Sequence, residues 1–169
     1  MTEPARIYIA LGANLPCDGL SPQETLTAAL QQLPERGVMP VLVSGYWTSP
    51  AWPDPAKLAY VNAVAEVATR LSAEKLLGVL QDVESGFGRE RTVRWESRTL
   101  DLDIVDYRGC VMDTPDLILP HPRAQGRAFV LLPLQEIAPA WVHPISKRGI
   151  SELISSLPDE DLAQTCRIR

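Results

Sequence analysis

Arg89-Glu90-Arg91-Thr92-Val93-Arg94-Trp95-Glu96-Ser97-Arg98-Thr99-Leu100-Asp101-Leu102-Asp103-Ile104-Val105-Asp106 is the stretch around which the chain is organised. Its second half alternates apolar and acidic residues, the period of a β-strand. Leu100, Leu102 and Ile104 then share one face, and Asp101 and Asp103 project together from the other, with Cα atoms roughly 6.5–7 Å apart. Two carboxylates on a rigid strand suit one or two Mg²⁺ ions, which take oxygen ligands and keep substrate phosphate oxygens in their shell. The same alternation also describes an ordinary half-buried strand with a wet outer face. Four arginines just upstream favour the metal reading, because they could supply the charge a polyphosphate needs.

Working outward, Arg6 to Leu11 reads as a first strand closed by Gly12, with Gly12-Ala13-Asn14 leaving it in a turn. Ser21-Pro22-Gln23-Glu24 is a helix start with a capping serine, proline at the first helical position and glutamate three residues after the cap. Leu26, Ala29, Leu30 and Leu33 form its apolar stripe, and Pro34 stops it. Val38 to Trp47 reads as a second strand in which Pro40 suggests an edge or a bulge. Three prolines within Pro50 to Pro55 exclude regular structure there and predict a stiffened loop, a candidate lid flanked by Trp47 and Trp52 as hydrophobic pins. Tyr60 to Thr69 is a third strand, with Val61, Ala63, Ala65 and Val67 opposite Tyr60, Asn62, Val64 and Glu66. Ser72 caps a second helix carrying Leu76, Leu80, Val83 and Phe87 on one face. The fourth strand runs from about Arg98 to Tyr107, and Arg108-Gly109 turns it toward a short hairpin partner, Cys110 to Met112.

This order is β-α-β-β-α-β and predicts an α+β fold: a ferredoxin-like antiparallel sheet with both helices on one face. The remaining third is a C-terminal extension, with a helix expected over Arg127 to Ala138 and a small one over Ser151 to Leu157. With 169 residues, 46% hydrophobic and 22% charged, the chain is expected to form one domain. Its net charge of −5 argues against a nucleic-acid binder, while Arg89 to Arg98 carries four arginines against two glutamates, a net +2 that suits a small anionic ligand. Three scattered cysteines show no disulfide or metal spacing. Without a membrane-length apolar run or a secretory core, a cytoplasmic location is the expectation.

Other residues keep two readings. His121, between two prolines, is either structural or functional. Asn62 either closes a neighbouring loop or reads a polar ligand. Trp95 either stacks on a planar heterocycle or anchors the core. A metal-dependent glycosyl transferase using Asp-x-Asp and a non-catalytic binding module both remain compatible with these residues.

Arg94-Trp95-x-x-Arg98-Thr99-Leu100-Asp101-Leu102-Asp103-Ile104, Pro120-His121-Pro122 and Arg127-x-Phe129-x-Leu131-x-Pro133-Leu134 together resemble the 6-hydroxymethyl-7,8-dihydropterin pyrophosphokinase family of folate biosynthesis. Leu11-Gly12-Ala13-Asn14-Leu15 and Tyr60-Val61-Asn62-Ala63 fit the same family, over residues 6 to about 140. The resemblance implies transfer of the β,γ-pyrophosphoryl unit of ATP to the hydroxymethyl group of a reduced pterin, releasing AMP. It further implies that Asp101 and Asp103 bind two Mg²⁺ ions and that Arg89 and Arg98 contact phosphates. Arg91 would lie in a loop closing over the triphosphate, His121 and Arg127 would line the ATP site, Gln81 and Glu84 would face it, and Ile104 would meet adenine through its backbone. Trp95 and Phe129 would sandwich the pterin, with Asn62 and the backbone around Thr48 and Ala51 reading its edge, Asp101 at its hydroxyl and Tyr60 close by. The substrates would be small molecules, with neither nucleic acid nor membrane as partner, and a monomer is expected. The chain departs from the family pattern at Glu96-Ser97, where Gly-Pro is common, at Pro122, where Tyr is frequent, and in an arginine loop one residue shorter.

Overall fold

The structure, a computed structural model, describes residues 5–88 and 99–169. Its elements run β1 (Ile7–Ala13), α1 (Pro22–Gln32), β2 (Val38–Val43), β3 (Trp47–Ser49), β4 (Tyr60–Thr69), α2 (Ala73–Gly86), β5 (Asp101–Tyr107), β6 (Met112–Asp113), β7 (Ile118–Leu119), α3 (Ala128–Ile137), α4 (Ile150–Ser155), α5 (Asp159–Gln164) and β8 (Cys166–Arg167). The main sheet is antiparallel in the order β5-β1-β4-β3-β8, with β2 also on β4. This is the expected ferredoxin-like arrangement.

Local sequence explains the helices. Ser21 Oγ accepts from the Glu24 N–H while the Glu24 carboxylate accepts from the Ser21 N–H, closing both sides of a capping box at α1. Ser72 caps α2 from one side, its Oγ accepting from the Lys75 N–H. Leu76, Leu80 and Val83 are fully buried on the inner face of α2, beside Leu26, Ala29 and Leu33 of the α1 segment and Leu102 and Ile104 of β5. Burial of each such side chain contributes about 1.5–3 kcal/mol, enough to seat both helices on one face of the sheet.

The C-terminal extension covers much of the other face. Val130, Leu131 and Leu134 of α3 and Leu153 of α4 form a second core with Tyr8, Val64 and Val105. Their burial holds α3 together although Pro133 lies inside it, where a proline costs about 3 kcal/mol. A wet outer face therefore does not describe this side of the sheet. The acidic Asp159-Glu160-Asp161 forms the first turn of α5, where carboxylates suit the positive end of the helix dipole.

Several expectations are corrected. The first strand continues through Ala13 instead of turning at Gly12. The second strand is two pieces: the register against β4 slips by one residue between Pro40 and Leu42, as Pro40 suggested, and slips again between Val43 and Trp47. At that second slip Ser44 Oγ takes the Val64 N–H, replacing a ladder bond. Cys110 to Met112 does not pair with β5. Arg108 and Gly109 do form a turn with positive φ, but Met112–Asp113 pairs with Ile118–Leu119. His121 then bonds to β5, its N–H donating to the carbonyl of Val105, the bulged residue of that strand.

Candidate active site

A cleft of about 460 Å³ opens beside the second core, at the end of the sheet where β1 finishes and β5 begins. Strand register builds its floor. Gly12 pairs with Asp101 on one side and with Asn62 on the other, and in the next row Ala10 pairs with Asp103 and Val64. Asp101 and Asn62 thus stand two strand spacings apart, about 9.5 Å, with a residue that has no side chain between them in the row. A Cβ added at Gly12 would lie 3.3 Å from Asn62 Oδ1, so the glycine keeps the floor open.

Asp101 and Asp103 are partly exposed and both face the cleft. Tyr60 and Asn62 of β4 and Phe129 of α3 line it as well, so the structure brings the acidic pair together with three of the residues assigned to the pterin. Asn62 is buried, and its Nδ2 donates to Ser49 Oγ at 2.9 Å and to the Trp47 carbonyl at 3.4 Å. Ala51 is buried at the start of the Pro-rich loop, outside the cleft lining. Thr48 turns away from the cleft, its hydroxyl donating to the Cys166 carbonyl.

On the opposite wall His121 and Arg127 line the cleft, and the Arg127 guanidinium sits 5.4 Å from the centre of the Phe129 ring. His121 Nδ1 accepts from the Arg123 N–H at 3.2 Å, so the neutral ring carries its proton on Nε2. Burial, helped by the positive charge of Arg127 and Arg123 and opposed by Asp101, pushes the imidazole down to about 4. It is neutral at physiological pH.

The remaining assigned residues lie elsewhere. Gln81 and the buried Glu84 sit on α2, outside the described lining of the cleft. Ile104 is buried in the first core, with its backbone paired to Ile9. Arg89, Arg91, Trp95 and Arg98 lie outside the described residues.

Gly12, Ser49 and Trp52 are among the lining residues to which sequence reading assigned no site role. Trp52 is 68% exposed and is no hydrophobic pin. Trp47 is half-buried and is held by a hydrogen bond, its Nε1 donating to Glu136 Oε1 at 2.7 Å. Glu136 Oε2 also accepts from the Gly45 N–H, and Oε1 from Arg167 Nε. Desolvation pushes the Glu136 carboxyl up, but these three donors outweigh it and hold it below the usual carboxylate range.

Among the described residues no three His, Cys, Asp or Glu side chains could enclose an ion. Two carboxylates beside an open cleft fit a hard cation that takes its other ligands from a substrate and water, the usual binding mode of Mg²⁺.

Comparison with known proteins identifies the family and the fold. The family model described as 7,8-dihydro-6-hydroxymethylpterin-pyrophosphokinase (HPPK) matches residues 8–139. The 2-amino-4-hydroxy-6-hydroxymethyldihydropteridine pyrophosphokinase of Pseudomonas aeruginosa is 39% identical over 160 residues, 93% of this chain and 94% of that protein. Its namesake from Haemophilus influenzae is 40% identical over 156 residues, 92% of this chain and 94% of that protein. A crystal structure of an HPPK-DHPS in complex with substrates superposes with a TM-score of 0.67 at 12% identity, covering 90% of this chain and 43% of that one, a likeness of fold. With a family match that extends from β1 to just past α3, and relatives matched over nearly their whole length, the chain belongs to the 7,8-dihydro-6-hydroxymethylpterin-pyrophosphokinase family.

Proposed function

We propose that the cleft holds 6-hydroxymethyl-7,8-dihydropterin over the Gly12 floor, between Asp101 and Asn62, with the triphosphate of ATP beside Asp101 and Asp103. The hydroxymethyl oxygen attacks the β-phosphorus of ATP, the bond from that phosphorus to the α,β-bridging oxygen breaks, AMP leaves, and the hydroxyl proton is released. The products are the pterin diphosphate and AMP.

The observation that carries this reading is the register row Asp101, Gly12, Asn62, which sets an acidic group and an amide on either side of a residue without a side chain. A flat bicyclic ring fits the slot over that row with its polar edge at Asn62 and its hydroxymethyl arm toward Asp101. Phe129 supplies an aromatic face for the ring. Arg127 and the neutral His121, through Nε2–H, offer donors to phosphate oxygens. Gln81 and Glu84 on α2, the backbone at Ile104, Thr48 and Ala51, and the nearby Tyr60 keep the assignments the family resemblance gives them. Asp101 and Asp103 would hold Mg²⁺, up to two ions. When bound, the metal neutralises charge on the triphosphate and polarises the phosphorus under attack. The chain's own contribution is to position both substrates, from which phosphoryl-transfer enzymes draw much of their rate.

On this reading residues 1–169 act as one catalytic domain, a monomer, on two small-molecule substrates in the cytoplasm. Chromatographic measurement of AMP tests the chemistry: its release should require ATP, Mg²⁺ and the hydroxymethyl-dihydropterin together. ATP turnover that is independent of the pterin overturns the reading.

A further inference from the structure

We infer that Glu136 and Arg167 are positioning residues for the pterin: together they hold β3, and with it the Ser49–Pro50 wall of the cleft, at its working distance from Asn62. The inference rests on the placement of the pterin proposed above.

β3 needs such support. It is three residues long, and its register with β4 spans only Trp47, Thr48 and Ser49. A slipped segment, Ser44 to Tyr46, precedes it, and the Pro-rich loop follows, so neither flank continues a regular ladder. Yet Ser49 and Pro50 line the cleft, and Ser49 Oγ holds the Asn62 amide. A small shift of β3 therefore reaches the pterin slot directly.

Glu136, on α3, ties this strand down from one side. Its two carboxylate oxygens accept from the Gly45 N–H at 2.9 Å, Trp47 Nε1 at 2.7 Å and Arg167 Nε at 2.9 Å. Charge-assisted bonds of this kind are about twice as strong as neutral ones. β8 ties it down from the other side: Cys166 and Arg167 pair with Thr48 and Trp47, and the Ile168 N–H donates to the Tyr46 carbonyl at 2.8 Å. The Arg167 guanidinium lies close against Gly45, where an added Cβ would come within 2.7 Å of its Nε and Nη2. Gly45 thus makes room for the ion pair. None of Glu136, Arg167 and Gly45 lines the cleft.

The test compares steady-state constants for both substrates in Glu136→Ala, Arg167→Ala, Arg167→Lys and Gly45→Ala. KM for the pterin should rise about tenfold in Glu136→Ala and less in the two other disruptive variants, with KM for ATP within twofold; a misplacement of 1 Å can cost roughly 100-fold. Arg167→Lys should recover part of the loss. Hydrogen exchange should quicken at residues 45–49 and stay unchanged in β1. Arg167 is more than half exposed, so its alanine variant tests the idea even where Glu136→Ala fails to fold. Asn62→Ala is the control: a raised pterin KM there, with an unchanged one in Glu136→Ala and Arg167→Ala, overturns the positioning role and leaves the pterin site standing. An unchanged pterin KM in Asn62→Ala overturns the pterin placement itself. Equal rises in both substrates' KM in Arg167→Ala mark general loosening and also overturn the inference.

Discussion

Asn62 Nδ2 lies 2.9 Å from Ser49 Oγ and 3.4 Å from the carbonyl oxygen of Trp47. A carbonyl can only accept, so the amide nitrogen must face β3 and Oδ1 must face the Gly12 floor. The cleft therefore offers an acceptor at this end, and a ligand edge read by Asn62 has to donate. Ser49→Ala leaves the amide with its weaker bond alone; a neutral hydrogen bond is worth about 0.5–1.5 kcal/mol, so KM for the pterin should rise by roughly two- to tenfold. Asn62→Asp sets a second acceptor against the Trp47 carbonyl and should raise it further. A pterin KM unchanged in both variants would mean that the substrate edge lies elsewhere.

The empty floor gives a second test. Gly12 has an ordinary extended φ and lies inside β1, so valine, a good strand residue, suits the backbone there. Its branched side chain would fill the space between Asp101 and Asn62. Gly12→Val brings a Cβ to 3.3 Å from Asn62 Oδ1 and must displace it, so pterin binding should fall by at least about 100-fold, or roughly 2.7 kcal/mol, in a protein whose circular dichroism still shows the folded sheet. Titration calorimetry with the pterin measures this directly, and wild-type affinity would refute the slot.

Asp101→Asn and Asp103→Asn keep shape and remove charge. If the pair carries the metal, each should lower kcat by at least about 100-fold, some 2.7 kcal/mol of transition-state stabilisation, and raise the Mg²⁺ concentration needed for half-maximal rate. Both side chains are partly exposed, so little stability should be lost. A loss below tenfold in both variants would rule out the metal role.

Much of this was legible in the sequence because it is local. The α1 capping box, the Ser72 cap, the spacing of Leu76, Leu80 and Val83, and the alternation around Asp101 and Asp103 each leave a mark within a few residues, and each feature stands where that mark predicts. What stayed hidden depends on pairs far apart in the chain. Trp47 meets Glu136 across 89 positions, and nothing near either residue announces the contact. β8 is two residues long, too short for any periodicity. Gly12 read as a turn because glycine usually ends a strand; its place in the floor follows only from the register with β4 and β5. The Val105 bulge, whose carbonyl accepts from the His121 N–H, likewise shows only once both partners are placed.

The chain's two histidines make stability depend on pH. Burial lowers His143, with Asp106 opposing, and its Nδ1 accepts from the Ile145 and Ser146 N–H groups, so the folded protein favours the neutral ring. His121 is lowered to about 4, by burial first and then by Arg127. Unfolded histidine titrates near 6.5, so below that pH the unfolded chain binds more protons than the folded one. Stability then rises with pH: the histidine contribution is complete above about pH 6.5 and is lost as pH falls toward 4, up to about 3 kcal/mol for His121 alone. Urea unfolding at fixed ionic strength should give a smaller free energy at pH 5 than at pH 7.5. Asparagine at position 143 can present an oxygen to the same two N–H groups without titrating, so His143→Asn should flatten part of this slope, and His121→Asn with it most of the rest. A double variant with the wild-type slope between pH 5 and 7 would show that other groups set the acid sensitivity.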